Sequence, residues 1–218
     1  MTPLDPDRTL ALAYVPARRR AAVEALWRLD AALGAAIATG REPLISQIKL
    51  AWWREALATL DRERAPAEPV LQALAEHVLP AGVTGAELSE MEQGWAVLLN
   101  EHGLESGDLD LYAARGRLLF RHSATLLGGR SDAAFEQGGE AWALVDLARH
   151  SGEPDASAAL AAARDRAAAA RWPSALRPLG MLAALARRDA AAGSVGELEP
   201  QGAPRRMLRM IGHRLTGK

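Results

Sequence analysis

Apolar residues recur along this chain at three- and four-residue intervals, and each cluster of proline or glycine falls between the segments that carry that rhythm. β-branched runs are absent while Ala, Leu, Arg and Glu dominate, so the pattern predicts an all-α protein. Asp5 and Pro6 read as the N-cap and first residue of a short helix to Tyr14, and Pro16 opens a long helix over 17–39 that Gly40 closes. Pro43 starts a third helix over 44–61, followed by an exposed connection at 62–69. A short helix over 69–79 stops at Pro80, and Thr84-x-x-Glu87 forms a capping box for a helix reaching about Glu101. A helix over 108–127 ends at Gly128-Gly129, and Ser131 caps another that runs through Trp142 to about His150. Helices over 155–171, 174–192 and 204–215 complete the pattern. Short connections without a repeat period imply one helical bundle, a single domain over residues 1–218.

Composition narrows the chemistry. A chain of 218 residues buries roughly 70% of its unfolded surface, enough for a core without staples. The absence of cysteine excludes disulfides, thiolate metal sites and a catalytic thiol. With 26 basic and 27 acidic residues the net charge of −1 provides no field for nucleic acid, so none is expected as a partner. No stretch approaches the ~20 apolar residues of a membrane span, and the N-terminus lacks the apolar core of a signal peptide. A cytoplasmic location is therefore expected. The basic final segment, with Arg205, Arg206, Arg209, Arg214 and Lys218 around Met207, Leu208, Met210, Ile211 and Leu215, reads as a helix packing Leu208, Ile211 and Leu215 inward. Its alternative role is to lie on an anionic membrane surface or hold a partner helix, which would place the protein at the periphery of the inner membrane.

The most informative stretch runs from Glu42 to Leu57. Ile45, Ile48, Trp52 and Ala56 form one helical stripe and Leu50, Trp53, Leu57 and Leu60 a second, which predicts a helix covered on two sides with both tryptophans in the core. Preceded by Ala25-Leu26-Trp27-Arg28-Leu29, this Trp-Trp segment resembles the paired early helices of the squalene/phytoene synthase family. Two later stretches agree with it: Leu111-Tyr112-Ala113-Ala114 through Gly128-Gly129, and Gly138 through Arg149. The resemblance implies the isoprenoid (terpenoid) synthase fold, with a prenyl chain held between helices and Mg²⁺ bridging diphosphate to two Asp-x-x-x-Asp motifs. Carboxylates at i and i+4 share one helix face, and hard Mg²⁺ takes carboxylate and phosphate oxygens.

Laid on this chain, the first motif's acids fall at Gly34, Ala35 and Ala38, with Asp30 left alone one turn earlier. The second motif's acids fall at His150 and Pro154, with Glu153 between, and the Arg/Lys-rich segment that follows in the family is replaced by an alanine-rich one. Neither set suits Mg²⁺. An i,i+4 ladder of Asp132, Glu136 and Glu140 lies on the second motif's helix, but near its opposite end, where acids serve the helix dipole. No hydrolase, zinc, P-loop or dinucleotide signature occurs. The histidines at 77, 102, 122, 150 and 213 lack ligand spacing, and the neighbours His122 and Ser123 diverge on their helix.

The resemblance therefore implies a pseudoenzyme: a non-catalytic relative without cofactor that binds an isoprenoid or lipid or acts as an assembly or scaffold factor. The family has such a branch, represented by a mitochondrial assembly factor for respiratory complex I, which suggests a protein partner at a membrane complex. The rival is an active prenyl-diphosphate-dependent transferase, the one case that requires Mg²⁺. An apolar cavity is expected among the helices at 17–39, 44–61, 108–127 and 131–150, lined near its mouth by Asp30, Tyr112, Arg115, Asp146 and Arg149.

Overall fold

The computed structural model describes residues 3–38, 42–100 and 103–217. Eleven α-helices follow in order among them: α1 Pro6–Ala13, α2 Ala17–Ala38, α3 Pro43–Thr59, α4 Pro69–His77, α5 Gly85–Ser89, α6 Met91–Ala96, α7 Ser106–Leu126, α8 Ala133–His150, α9 Asp155–Arg166, α10 Arg177–Ala190 and α11 Pro204–Thr216. The expected helix stop at Gly40, the end at Glu101, His102 and Lys218 lie outside the described residues.

Local signals set most boundaries. The Asp5 carboxylate accepts from the Arg8 N–H, and Pro occupies the first turn of α1, α3, α4, α10 and α11. Gly128, at φ 76°, turns the chain after α7 in the left-handed region that a side chain resists. The cap of α8 is Asp132 and not Ser131, because the Asp132 carboxylate accepts from the Phe135 N–H at 3.0 Å. Pro80 sits inside a 3₁₀ turn, Leu79–Ala81, that extends the end of α4.

The helix that begins at the Thr84–Glu87 capping box is shorter than the pattern predicts. It ends at Ser89, whose hydroxyl donates to the Ala86 carbonyl, and the chain resumes as α6 before closing in a 3₁₀ turn. That break swings Gly94 against α7, where the position of a Cβ would lie 2.6 Å from the Arg115 Cβ. Trp95 is carried with it.

α7 and α8 form the central pair. They cross where Gly116 meets Gly139 so closely that a Cβ on Gly116 would lie 2.1 Å from the Gly139 carbonyl oxygen. α8 also packs on α9 and α10, α10 on α11, α2 on α4 and α7, and α3 on α5. The core runs continuously through these contacts, with Trp27, Leu33, Phe120 and Leu144 among its fully buried members.

Two expectations are overturned. Leu50, Trp53 and Leu57 of α3 are buried together with Ser46 and Ala56, whereas Leu44 and, from the other stripe, Ile45, Ile48 and Trp52 are exposed, because α2, α5 and α6 pack on the side that carries Leu50 and Trp53. In α11 the inward face is Arg206, Met210 and His213, while Leu208 and Leu215 are exposed. Buried charge is tolerated there because Arg206 donates to Asp7 of α1 at 2.7 Å and to Asp189 of α10 at 2.7 Å. The two tryptophans of α3 should differ accordingly. With 8% of its surface exposed, Trp53 is expected to cost about 3 kcal/mol when replaced by alanine, whereas Trp52, at 44%, costs under about 1 kcal/mol. Thermal melts of Trp52→Ala and Trp53→Ala check this.

Candidate functional site: a cavity over a buried arginine

A cavity of about 580 Å³ opens among α2, the α6 end, α7, α8 and the segment leading into α1. Ala31, Gly34, Ile37 and Ala38 come from α2, Trp95 and Leu98 from the far end of the α6 region, Tyr112 from α7, and Asp146, Leu147 and His150 from α8. Pro3 through Pro6, Arg8 and Gln201 close one side. Helix α3 contributes nothing to this wall. The positions Gly34, Ala38 and His150, where the family resemblance implies metal ligands, thus line the cavity, whereas Ala35 and Pro154 do not. Gly34 is small for a local reason: a Cβ there would lie 2.7 Å from the Trp95 ring, so the indole occupies the space that a side chain on α2 would need.

Beneath the cavity lies Arg115, about 1% exposed. Its guanidinium donates to both Asp30 oxygens at 2.6 and 2.7 Å, to the Tyr112 hydroxyl at 2.6 Å and to Asp146 Oδ2 at 3.1 Å. Arg8 donates to Asp30 Oδ2 at 2.9 Å and to Asp5, and the Trp95 indole N–H reaches Asp30 Oδ1 at 3.3 Å. The Trp95 ring also covers the Arg115 guanidinium at 3.9 Å, a cation–π contact in a desolvated setting. Burial works against the Asp30 carboxylate, yet Arg115 and Arg8 hold its pKa below the ordinary value. Burial likewise opposes the Arg115 cation, and Asp30, Tyr112 and Asp146 overcome it. Burial raises the Tyr112 phenol well above its usual range, so it stays protonated.

The five residues singled out by sequence therefore divide. Tyr112 and Asp146 line the cavity, Asp30 and Arg115 form the network under it, and Arg149 faces away, donating to Asp189 at 2.7 Å and to the Glu199 carbonyl at 3.1 Å. Arg8, Asp5 and Trp95 were not legible as site residues. The acidic ladder of α8 is a cap and two surface ion pairs: Asp132 caps, Glu136 pairs with Arg121, and Glu140 pairs with Arg117. Ser123 accepts from the Trp27 indole while His122 is buried beside it, so they form no dyad.

The donor set does not fit Mg²⁺ with diphosphate. That ion prefers near-octahedral oxygen ligation through carboxylates and phosphate oxygens. The cavity's wall offers Asp5, tied to Arg8, and Asp146, tied to Arg115. The His150 ring meets the Asp146 carbonyl at 2.8 Å and its carboxylate at 3.6 Å, and Gly34 and Ala38 bring no donor. Among the described residues no three His, Asp or Glu side chains converge as a metal site. No helix among the described residues is long and apolar enough to cross a membrane.

Comparison with curated proteins and with solved structures returned no match. The squalene/phytoene synthase family model matches residues 2–168, which span α1 through α9 and every helix that lines the cavity. With that match over most of its length and an all-α single-domain bundle consistent with the isoprenoid synthase fold, the chain belongs to the squalene/phytoene synthase family.

Proposed function

We propose that this protein is a non-catalytic member of the family that holds an isoprenoid or other lipid chain in the cavity between α2, α7 and α8. One observation carries the reading: the cavity is open and mostly apolar, while the carboxylates around it are already committed to Arg8 and Arg115. Its volume, about 580 Å³, lies within the range of pockets that enclose small ligands. A network in which every carboxylate already has a guanidinium partner needs no metal to hold it, and it keeps no guanidinium free to stabilise a departing diphosphate.

Trp95 lies in the wall, so titration with farnesol should give a saturable change in tryptophan fluorescence, and native mass spectrometry of protein taken from cells should show a bound lipid. Ala31→Phe places a ring in the cavity and displaces two or three ligand methylenes. It is expected to weaken farnesol about tenfold or more while leaving the melt intact. No saturable change together with no copurifying lipid overturns the reading. A condensed hydrocarbon formed from farnesyl or geranylgeranyl diphosphate with Mg²⁺ or Mn²⁺ overturns its non-catalytic half and restores the transferase.

A second reading, action as an assembly factor through a protein partner at the membrane, is favoured by the exposed α3 stripe of Leu44, Ile45, Ile48 and Trp52. It parallels the complex I assembly branch of the family. Complementation of a deletion strain separates the two. Ile48→Glu with Trp52→Ser abolishes function under the second reading and leaves farnesol binding untouched, whereas Ala31→Phe abolishes function under the first.

A further inference from the structure

The head group that this cavity accepts follows from how its polar atoms are used. Three carboxylates lie at or just under the wall, Asp5, Asp146 and Asp30, against two guanidiniums, Arg8 and Arg115, so one negative charge is uncompensated among the described residues. Both guanidiniums are already spent on carboxylates: Arg8 on Asp5 and Asp30, Arg115 on Asp30, Asp146 and the Tyr112 oxygen. A diphosphate entering here would meet carboxylates and, among the described residues of the wall and the layer beneath it, no guanidinium without a carboxylate partner, and like charges in contact cost several kcal/mol of affinity.

Neutral hydrogen-bonding capacity remains. Tyr112 lines the cavity, and its hydroxyl accepts from Arg115 without donating to a described protein group. His150, Ser151 and Gln201 lie in the same wall. The His150 Nδ1 is engaged by the Asp146 carbonyl, which leaves Nε2 as a second hydrogen-bonding atom.

We propose that the cavity selects a prenyl chain bearing a neutral, hydrogen-bonding head, of the prenyl alcohol class, and rejects the prenyl diphosphates. The proposal rests on the reading that the cavity holds a lipid chain. It adds a specificity set by repulsion from Asp5 and Asp146 and by a donor on Tyr112.

The test is a three-ligand titration of the intact protein, read by tryptophan fluorescence and confirmed by calorimetry, with farnesol, farnesyl diphosphate and farnesene, which share the chain and differ in the head. Farnesol is expected to bind on the order of a hundredfold more tightly than the diphosphate, with or without Mg²⁺. It should exceed farnesene about three- to tenfold, the worth of a hydrogen bond made in a desolvated site. Asp146→Asn and, independently, Asp5→Asn, which preserves the α1 cap, should each raise the affinity for the diphosphate relative to farnesol at least about fivefold. Equal or tighter binding of the diphosphate by the unaltered protein overturns the charge argument, and farnesene binding as tightly as farnesol overturns head recognition. Both of those outcomes leave lipid binding standing. Failure of all three ligands to bind removes the lipid reading itself.

Discussion

Replacing Arg115 by methionine is expected to lower stability by about 3–5 kcal/mol at neutral pH, the cost of leaving a buried charge without its main partner. Asp30 is fully buried and receives two of its hydrogen bonds from that one guanidinium. Arg8 and the Trp95 indole remain in the variant, each through a single bond. The pH dependence identifies the cause. In the unaltered protein the Asp30 pKa is held below its ordinary value, so the stabilisation is fully present above about pH 4 and is lost only as pH falls through the lowered value. Without Arg115, burial dominates and Asp30 titrates higher, so acid relieves the variant by protonating the orphaned carboxylate. Urea melts should therefore show the gap between the two proteins narrowing from about pH 8 to about pH 5. Asp30→Leu added to Arg115→Met should recover much of the loss, since an apolar pair replaces an ion pair at lower cost than half of one.

The second large effect lies at the crossing of α7 and α8. Gly116→Val puts a branched side chain where even a Cβ would stand 2.1 Å from the Gly139 carbonyl oxygen and 2.7 Å from the Ala143 Cβ. Backbone cannot rotate aside as a flexible side chain can, so the two helices must separate. Gly139 is under the same constraint, its Cβ position lying 2.4 Å from the Gly116 carbonyl oxygen. A loss of about 3 kcal/mol or more is expected, beyond the helix propensity that a non-glycine residue regains. Gly212→Ala is the matched control: it is helical and exposed, a Cβ there meets nothing within 4 Å, and it should stabilise by up to about 1 kcal/mol. Denaturant melts of both variants decide it.

Helix positions were readable because proline, capping carboxylates and the Thr84–Glu87 box act within one turn of the chain. What a helix faces was less readable. The two apolar stripes of α3 are equivalent as patterns, and only the placement of α2 and α5 determines that Trp53 is core and Trp52 is not. In α11 the pattern pointed Leu208 inward, yet acids on two distant helices made a buried Arg206 the better solution. The site shows the same limit. Tyr112, Arg115 and Asp146 fall within the stretches that resemble the family, Asp30 directly follows one of them, and the structure brings the four together. Arg8 and Trp95 are parts of the network only because α1 folds back over α2 and because α6 restarts after Ser89. A period of 3.6 residues carries no information on either event.

The pairing of Asp7 with Arg206 bears on the order in which the cavity can come into being. These partners are 199 residues apart, and Asp7 also accepts from the Gly202 N–H. The segment just before and after Asp7, Pro3 through Arg8, is one wall of the cavity. During synthesis at about 5–20 residues per second, some 10–40 s separate the emergence of that segment from that of the arginine that locks it. Through that interval α2 is present and Asp30 is without its Arg115 partner until α7 follows. Arg8, made before Asp30, is the one guanidinium of the network available to it over that first part of the interval. The wall formed by Pro3 through Arg8 is thus locked in place only once α11 has been made, although its own residues are among the earliest of the chain.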